Sequence, residues 1–135
     1  MEVYNSKYLH VAFFAEQRLL EATWLSETKM MSTDECKQEF LNYLDVICKR
    51  RPSRMVVDSS NLFFTFGIEM QDWINQAIFA PALDAGVNKV AFVISKDFFA
   101  QLSTEQLMGE TEGLRHTTKY FDTREAAKKW ILNAA

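Results

Sequence analysis

Glycine and proline are the scarcest structural signals in this sequence, four and two residues among 135. No Ser, Gly or Gln tract appears, so the composition argues against a flexible linker, a disordered arm or a second domain. Cysteine is limited to Cys36 and Cys48, twelve residues apart in one predicted helix. At about 1.5 Å of rise per residue no disulfide spans that distance, and both thiols are expected reduced. His10 and His116 lie in predicted strands without a neighbouring ligand set, so neither a metal nor a cofactor is expected. A surplus of positive charge is missing too. The formal net charge is −3, with acids and bases interspersed, which disfavours nucleic acid as a partner. The one basic cluster, Lys49-Arg50-Arg51 with Arg54 beyond, falls at the end of a predicted helix, where cations complement the partial negative charge. No apolar run approaches the ~18 residues of a membrane span. Met1-Glu-Val-Tyr-Asn-Ser-Lys7 has no apolar centre of the signal-peptide kind, so the expectation is a soluble, cytoplasmic protein.

What is present is a core. With 48% hydrophobic residues the chain reads as one domain over 1–135. Tyr8 to Ala15 and Arg18 to Leu25, joined by Glu16-Gln17, predict an opening hairpin. Ser32-Thr-Asp-Glu35 has the form of a capping box, and Phe40, Leu41, Leu44, Ile47 and Cys48 recur at helical spacing up to Pro52. Met55-Val-Val57 and Lys89 to Ile94 are apolar on both faces, as buried parallel strands are. Between them Ile68, Trp73, Ile74, Ala77 and Ile78 form one helical stripe that Pro81 and Gly86 are expected to close. Helix-start chemistry at Asp97 and again at Ser103 predicts a short or broken helix before an acidic loop between Gly109 and Gly113. Leu114 to Phe121 reads as an edge strand, and Asp122-Thr-Arg-Glu125 opens a last helix. The order ββαβαβαβα implies an α/β fold: a mixed, mostly parallel sheet with an N-terminal antiparallel hairpin and covering helices.

This order, with Val57-Asp58-Ser59-Ser60-Asn61-Leu62 after a central strand, resembles the STAS fold of the SpoIIAA-like proteins. A small, stand-alone bacterial branch is the most similar. Its texture is matched by a hairpin ending near Trp24, an Asp closing the third strand (Asp58), the Trp-bearing helix Trp73 to Pro81, and Ala126-Ala127-Lys-Lys-Trp130. The resemblance implies a non-enzymatic regulatory or protein-interaction domain like the anti-sigma factor antagonists, whose Asp-Ser-Ser-Gly turn carries a phosphorylated serine. Carried over, the modified residue is Ser60, with Ser59 beside it. Asn61 replaces that Gly, and Leu62 to Gly67 intervene before the next helix, which favours contact or packing over a working phosphoswitch. The fold is also related to CRAL-TRIO lipid-binding domains, which implies the alternative of a small apolar or amphipathic, lipid-like ligand.

Asp58, Ser59, Ser60 and Asn61 are therefore the first candidate site, although all four are also preferred turn and capping residues. The second is Phe63, Phe64 and Phe66 with Trp73, read as core cover, homodimer interface or wall of an apolar pocket. Phe98, Phe99 and Leu102 would join that region if their helix covers the strand ends. Glu105, Glu110 and Glu112 lack catalytic spacing and read as solvated charge. No catalytic residue is assigned. An enzyme would require a functional partner for Asp58 or Ser60 from elsewhere in the fold.

Overall fold

A computed structural model of the chain describes residues 1–109 and 116–133. Six strands form one sheet in sequence order: β1 (Glu2–Asn5), β2 (Leu9–Phe14), β3 (Leu19–Trp24), β4 (Arg54–Asp58), β5 (Lys89–Val93) and β6 (Thr117–Phe121). The first three are antiparallel, and β3 to β6 run parallel. Helix α1 (Thr33–Arg50) links β3 to β4. Helices α2 (Ile68–Ile74) and α3 (Ala80–Asp84) link β4 to β5, α4 (Phe98–Gly109) links β5 to β6, and α5 (Arg124–Leu132) closes the order.

Alternation along the parallel strands sends side chains to opposite faces. Met55, Val57, Val90 and Phe92 join the large core under α1 to α4, with Phe40 and Ile47 of α1 and Leu107 of α4. Val56, Ala91 and Val93 face the other way and pack with Leu19 against Ala127 and Ile131 of α5. Among the described residues, α5 is the one helix on this face, lying on β4, β5 and β6. On that face His10 and Phe14 of β2 are exposed.

The capping box is made as read: Ser32 Oγ accepts from Glu35 N at 3.0 Å, and Glu35 Oε1 accepts from Ser32 N at 2.9 Å. The basic cluster closes α1, with Lys49 paired to Asp45 at 3.0 Å and Arg51 in the left-handed region at the C-cap. Cys36 and Cys48 are both free. Burial pushes the Cys36 thiol up to about 12, with the charge of Glu39 adding to it. Cys48 is exposed. A thiol reagent at pH 8 is therefore expected to label Cys48 rapidly, and Cys36 only after denaturation. Mass analysis of the labelled protein reads this directly, and rapid double labelling of folded protein would contradict it.

Three expectations need correction. A strand precedes the hairpin: β1 pairs antiparallel with β2, making six strands where five were expected. Pro81 does not close the second crossover. A π-helical stretch, Asn75–Phe79, shifts the hydrogen-bond register, and α3 restarts with Pro81 in its first turn, where a missing N–H does least harm. Helix α4 is unbroken, because Ser103 and Thr104 do not cap a new helix. Their hydroxyls donate to Ala100 O at 2.9 and 3.1 Å. The acidic loop with Glu110 and Glu112, and Leu114 and Arg115 of the expected edge strand, lie outside the described residues.

Candidate functional site at the carboxyl end of the sheet

Asp58 ends β4, and the chain leaves the sheet in a tight turn. Ser59 N still donates to Val93 O at 3.0 Å, and Leu62 N then donates to Ser59 O at 2.9 Å. Asp58 Oδ1 holds the turn from the side, accepting from Ser60 N at 3.0 Å and Ser60 Oγ at 2.7 Å. These are the turn bonds that Asp and Ser side chains favour.

The four polar residues part company here. Asp58 is directed to the α5 face, where its Oδ2 accepts from Arg124 Nη1 at 3.1 Å. Ser59 is buried at 1% exposure in the large core, and its hydroxyl has no partner. Ser60 and Asn61 are partly exposed. Asn61 Oδ1 accepts from Lys96 Nζ at 3.2 Å, and Ser60 O accepts from Lys96 N at 3.2 Å.

The loop that follows is stitched down along its length. Phe63 N donates to Thr28 Oγ1 at 3.0 Å, and Ser95 Oγ donates to Leu62 O at 2.6 Å. Ser103 Oγ accepts from Phe66 N at 3.0 Å, and Gln71 Nε2 donates to Phe66 O at 2.8 Å. Phe66 is buried against Phe40, ring centroids 5.9 Å apart, and Phe64 packs on Phe66 at 5.6 Å. Phe63 and Trp73 are half-buried, with Lys37 5.5 Å above the Trp73 ring. The aromatic side chains left in solvent are others. Phe98 is 71% and Phe99 67% exposed, their rings edge to face at 5.4 Å, with Leu102 exposed one turn on. They begin α4, whose first amides at Phe99 and Ala100 are capped by Asp97 Oδ1 at 2.9 and 3.1 Å. Since Lys96 is bonded to Ser60 and Asn61, the aromatic pair stands beside that turn.

Behind the turn lies an ion-pair network that sequence reasoning missed. Arg124, at the start of α5, donates to Thr23 Oγ1 at 2.9 Å, Asp58 Oδ2 at 3.1 Å and Glu21 Oε1 at 2.7 Å. Lys128 Nζ lies 3.1 Å from Glu21 Oε2. Burial alone would lower the Arg124 pKa, but bonding to Glu21 and the charges of Glu21 and Asp58 outweigh it and hold it above the ordinary range. Two signals were available. Glu21 interrupts the apolar run Leu19 to Trp24, and a buried carboxylate demands a cation. Arg124 sits in a helix's first turn, against the macrodipole, so another interaction must hold it there.

Asp58 is engaged at both oxygens: Oδ1 accepts from the Ser60 turn and Oδ2 from a guanidinium. His10 is exposed on β2, two strands from Asp58, with Thr23 as its register partner. His116 is buried edge to face on Phe79 at 4.9 Å. Among the described residues, no cluster of His, Cys, Asp and Glu could hold a metal ion, and no helix is long and apolar enough to cross a membrane.

A family model described as SpoIIAA-like matches residues 22–132, which runs from the second half of β3 to the end of α5 and includes every residue of the turn and the network except Glu21. No curated protein and no solved structure matches the chain.

Proposed function

The chain belongs to the SpoIIAA-like family, and on that premise we propose that it is a non-enzymatic regulatory domain that binds a protein partner through the carboxyl end of its sheet. The observation that carries this reading is the exposed Phe98–Phe99 pair beside the Ser60–Asn61 turn. Two large rings in solvent next to polar turn atoms combine the aromatic anchor and the hydrogen-bonding rim of protein interfaces. Lys96 and Asn61 supply the rim.

Contact, rather than phosphorylation, is the mode we assign to the turn. Ser59 is buried beyond the reach of a kinase, and the Ser60 hydroxyl is engaged by Asp58, whose negative charge a phosphate would have to face. A cytoplasmic location goes with this reading, since two free thiols suit a reducing compartment.

The test is cross-linking in the native cell followed by mass spectrometry. Phe98→Ser/Phe99→Ser is expected to lose one specific partner that Leu41→Ser, an exposed change on α1, and Ser60→Ala both retain. If that partner is the protein itself, the surface is a homodimer interface. Retention of every cross-link by the double variant overturns the reading.

A further inference from the structure

Strand register gathers three cations on the α5 face of the sheet. Arg54 of β4 pairs with Lys89 of β5, Lys89 pairs with Thr117 of β6, and Lys119 stands two residues along β6 on the same side. The Trp130 ring of α5, packed on Phe121 at 5.7 Å, lies beside them. Lys89 Nζ is 4.3 Å and Lys119 Nζ 5.7 Å from its centroid. Arg54 and Lys89 are half-buried, and Lys119 is exposed. Among the described residues, none of the three has a carboxylate partner. Burial, and then the charges of Arg54 and Lys119, lower the Lys89 pKa. The end of α5 accounts for only part of this arrangement. Lys89 Nζ donates to Trp130 O at 3.5 Å, but a helix C-terminus carries about half a negative charge against three positive ones. Three like charges held together by register, with no acid to balance them, describe a place that an anion completes.

We propose that Arg54, Lys89 and Lys119 form a binding site for a phosphate monoester group, carried by a soluble molecule or by a lipid headgroup. The charges match, since such a group bears about 1.5–2 negative charges near pH 7 on three acceptor oxygens. A carboxylate, with one charge, leaves the cluster short. The planar guanidinium of Arg54 can bind two phosphate oxygens side by side, and the two ammoniums act as point charges. A long polyanion is disfavoured by the net charge of −3. Arg54 and Lys89 begin their strands, so the site lies towards the amino end of the parallel sheet, away from the carboxyl-end surface of Phe98 and Phe99. It stands or falls independently of the partner surface.

The probe is inorganic phosphate, titrated into the full chain at constant ionic strength with chloride as the balancing ion. Saturable shifts of the Trp130 indole N–H and the Lys89 and Lys119 amides are expected. Arg54→Gln and Lys119→Gln should each weaken phosphate about 5-fold or more, as loss of a charge-assisted bond does. Lys49→Gln removes an exposed cation already paired with Asp45 and should leave the affinity unchanged. Vesicles of phosphatidylcholine with and without phosphatidic acid then identify the source of the group. Cosedimentation that requires both phosphatidic acid and Lys119 assigns it to a headgroup; no cosedimentation, with the phosphate shift intact, assigns it to a soluble molecule. Two results would overturn the proposal: no saturable shift with phosphate, or equal weakening by Lys49→Gln and Lys119→Gln, which would mark general screening. Folding of each variant is read from its amide spectrum.

Discussion

Arg124→Ala is expected to destabilise the domain by about 2–3 kcal/mol. Removing one partner of a buried charge network costs ~3–5 kcal/mol. That figure is reduced here because the Arg124 side chain is 38% exposed and Glu21 keeps Lys128. For a domain of this size, the melting temperature should fall by about 8–12 °C. Arg124→Met, which keeps the apolar stem, should recover little if charge is the cause. Thermal melts of the parent and both variants check this, and an Arg124→Met variant as stable as the parent would contradict it.

Ile131→Ala is expected to cost about 3 kcal/mol. Ile131 is fully buried and, with Ala127, anchors α5 to its side of the sheet. Truncating buried Ile to Ala costs ~2–5 kcal/mol through lost transfer energy and the void left behind. Its buried partners on the sheet are Leu19, Val56, Ala91 and Val93, whose backbone the strand pairing fixes, so the void closes only in part. With a urea m-value of about 2 kcal/mol per molar, the midpoint should fall by ~1.5 M. Leu41→Ala, at an exposed α1 position, should stay within ~0.5 kcal/mol of the parent. Equal effects of the two changes would contradict the division of the core between the two faces.

Both predictions concern features of unequal visibility in the sequence. Local signals were legible. Ser32 and Glu35 make the box their spacing implies, and Met55-Val-Val57 proves apolar on both faces because helices cover both. Strand β1 escaped notice because Val3 and Tyr4 are its only half-buried residues, too short a run to show alternation. Pro81 misled because a register shift upstream frees it from its usual clash, and Ser103 misled because its hydroxyl bonds back into its own helix. The Arg124 network joins residues 66 and 103 positions apart, a distance no local pattern reports. The four-residue candidate Asp58 to Asn61 was read as a unit. The backbone turn divides it among a charged network, the buried interior and the surface.

The surface part carries the functional claim. The most direct measurement is calorimetric titration of the partner recovered by cross-linking, comparing the parent with Phe98→Ser/Phe99→Ser and Ser60→Ala. Loss of two aromatic anchors at a hot spot should weaken binding by at least ~30-fold, the equivalent of about 2 kcal/mol. Ser60→Ala should change it less than ~5-fold. An affinity unchanged by the double substitution, or abolished by Ser60→Ala alone, would contradict recognition through the aromatic pair at the carboxyl end of the sheet.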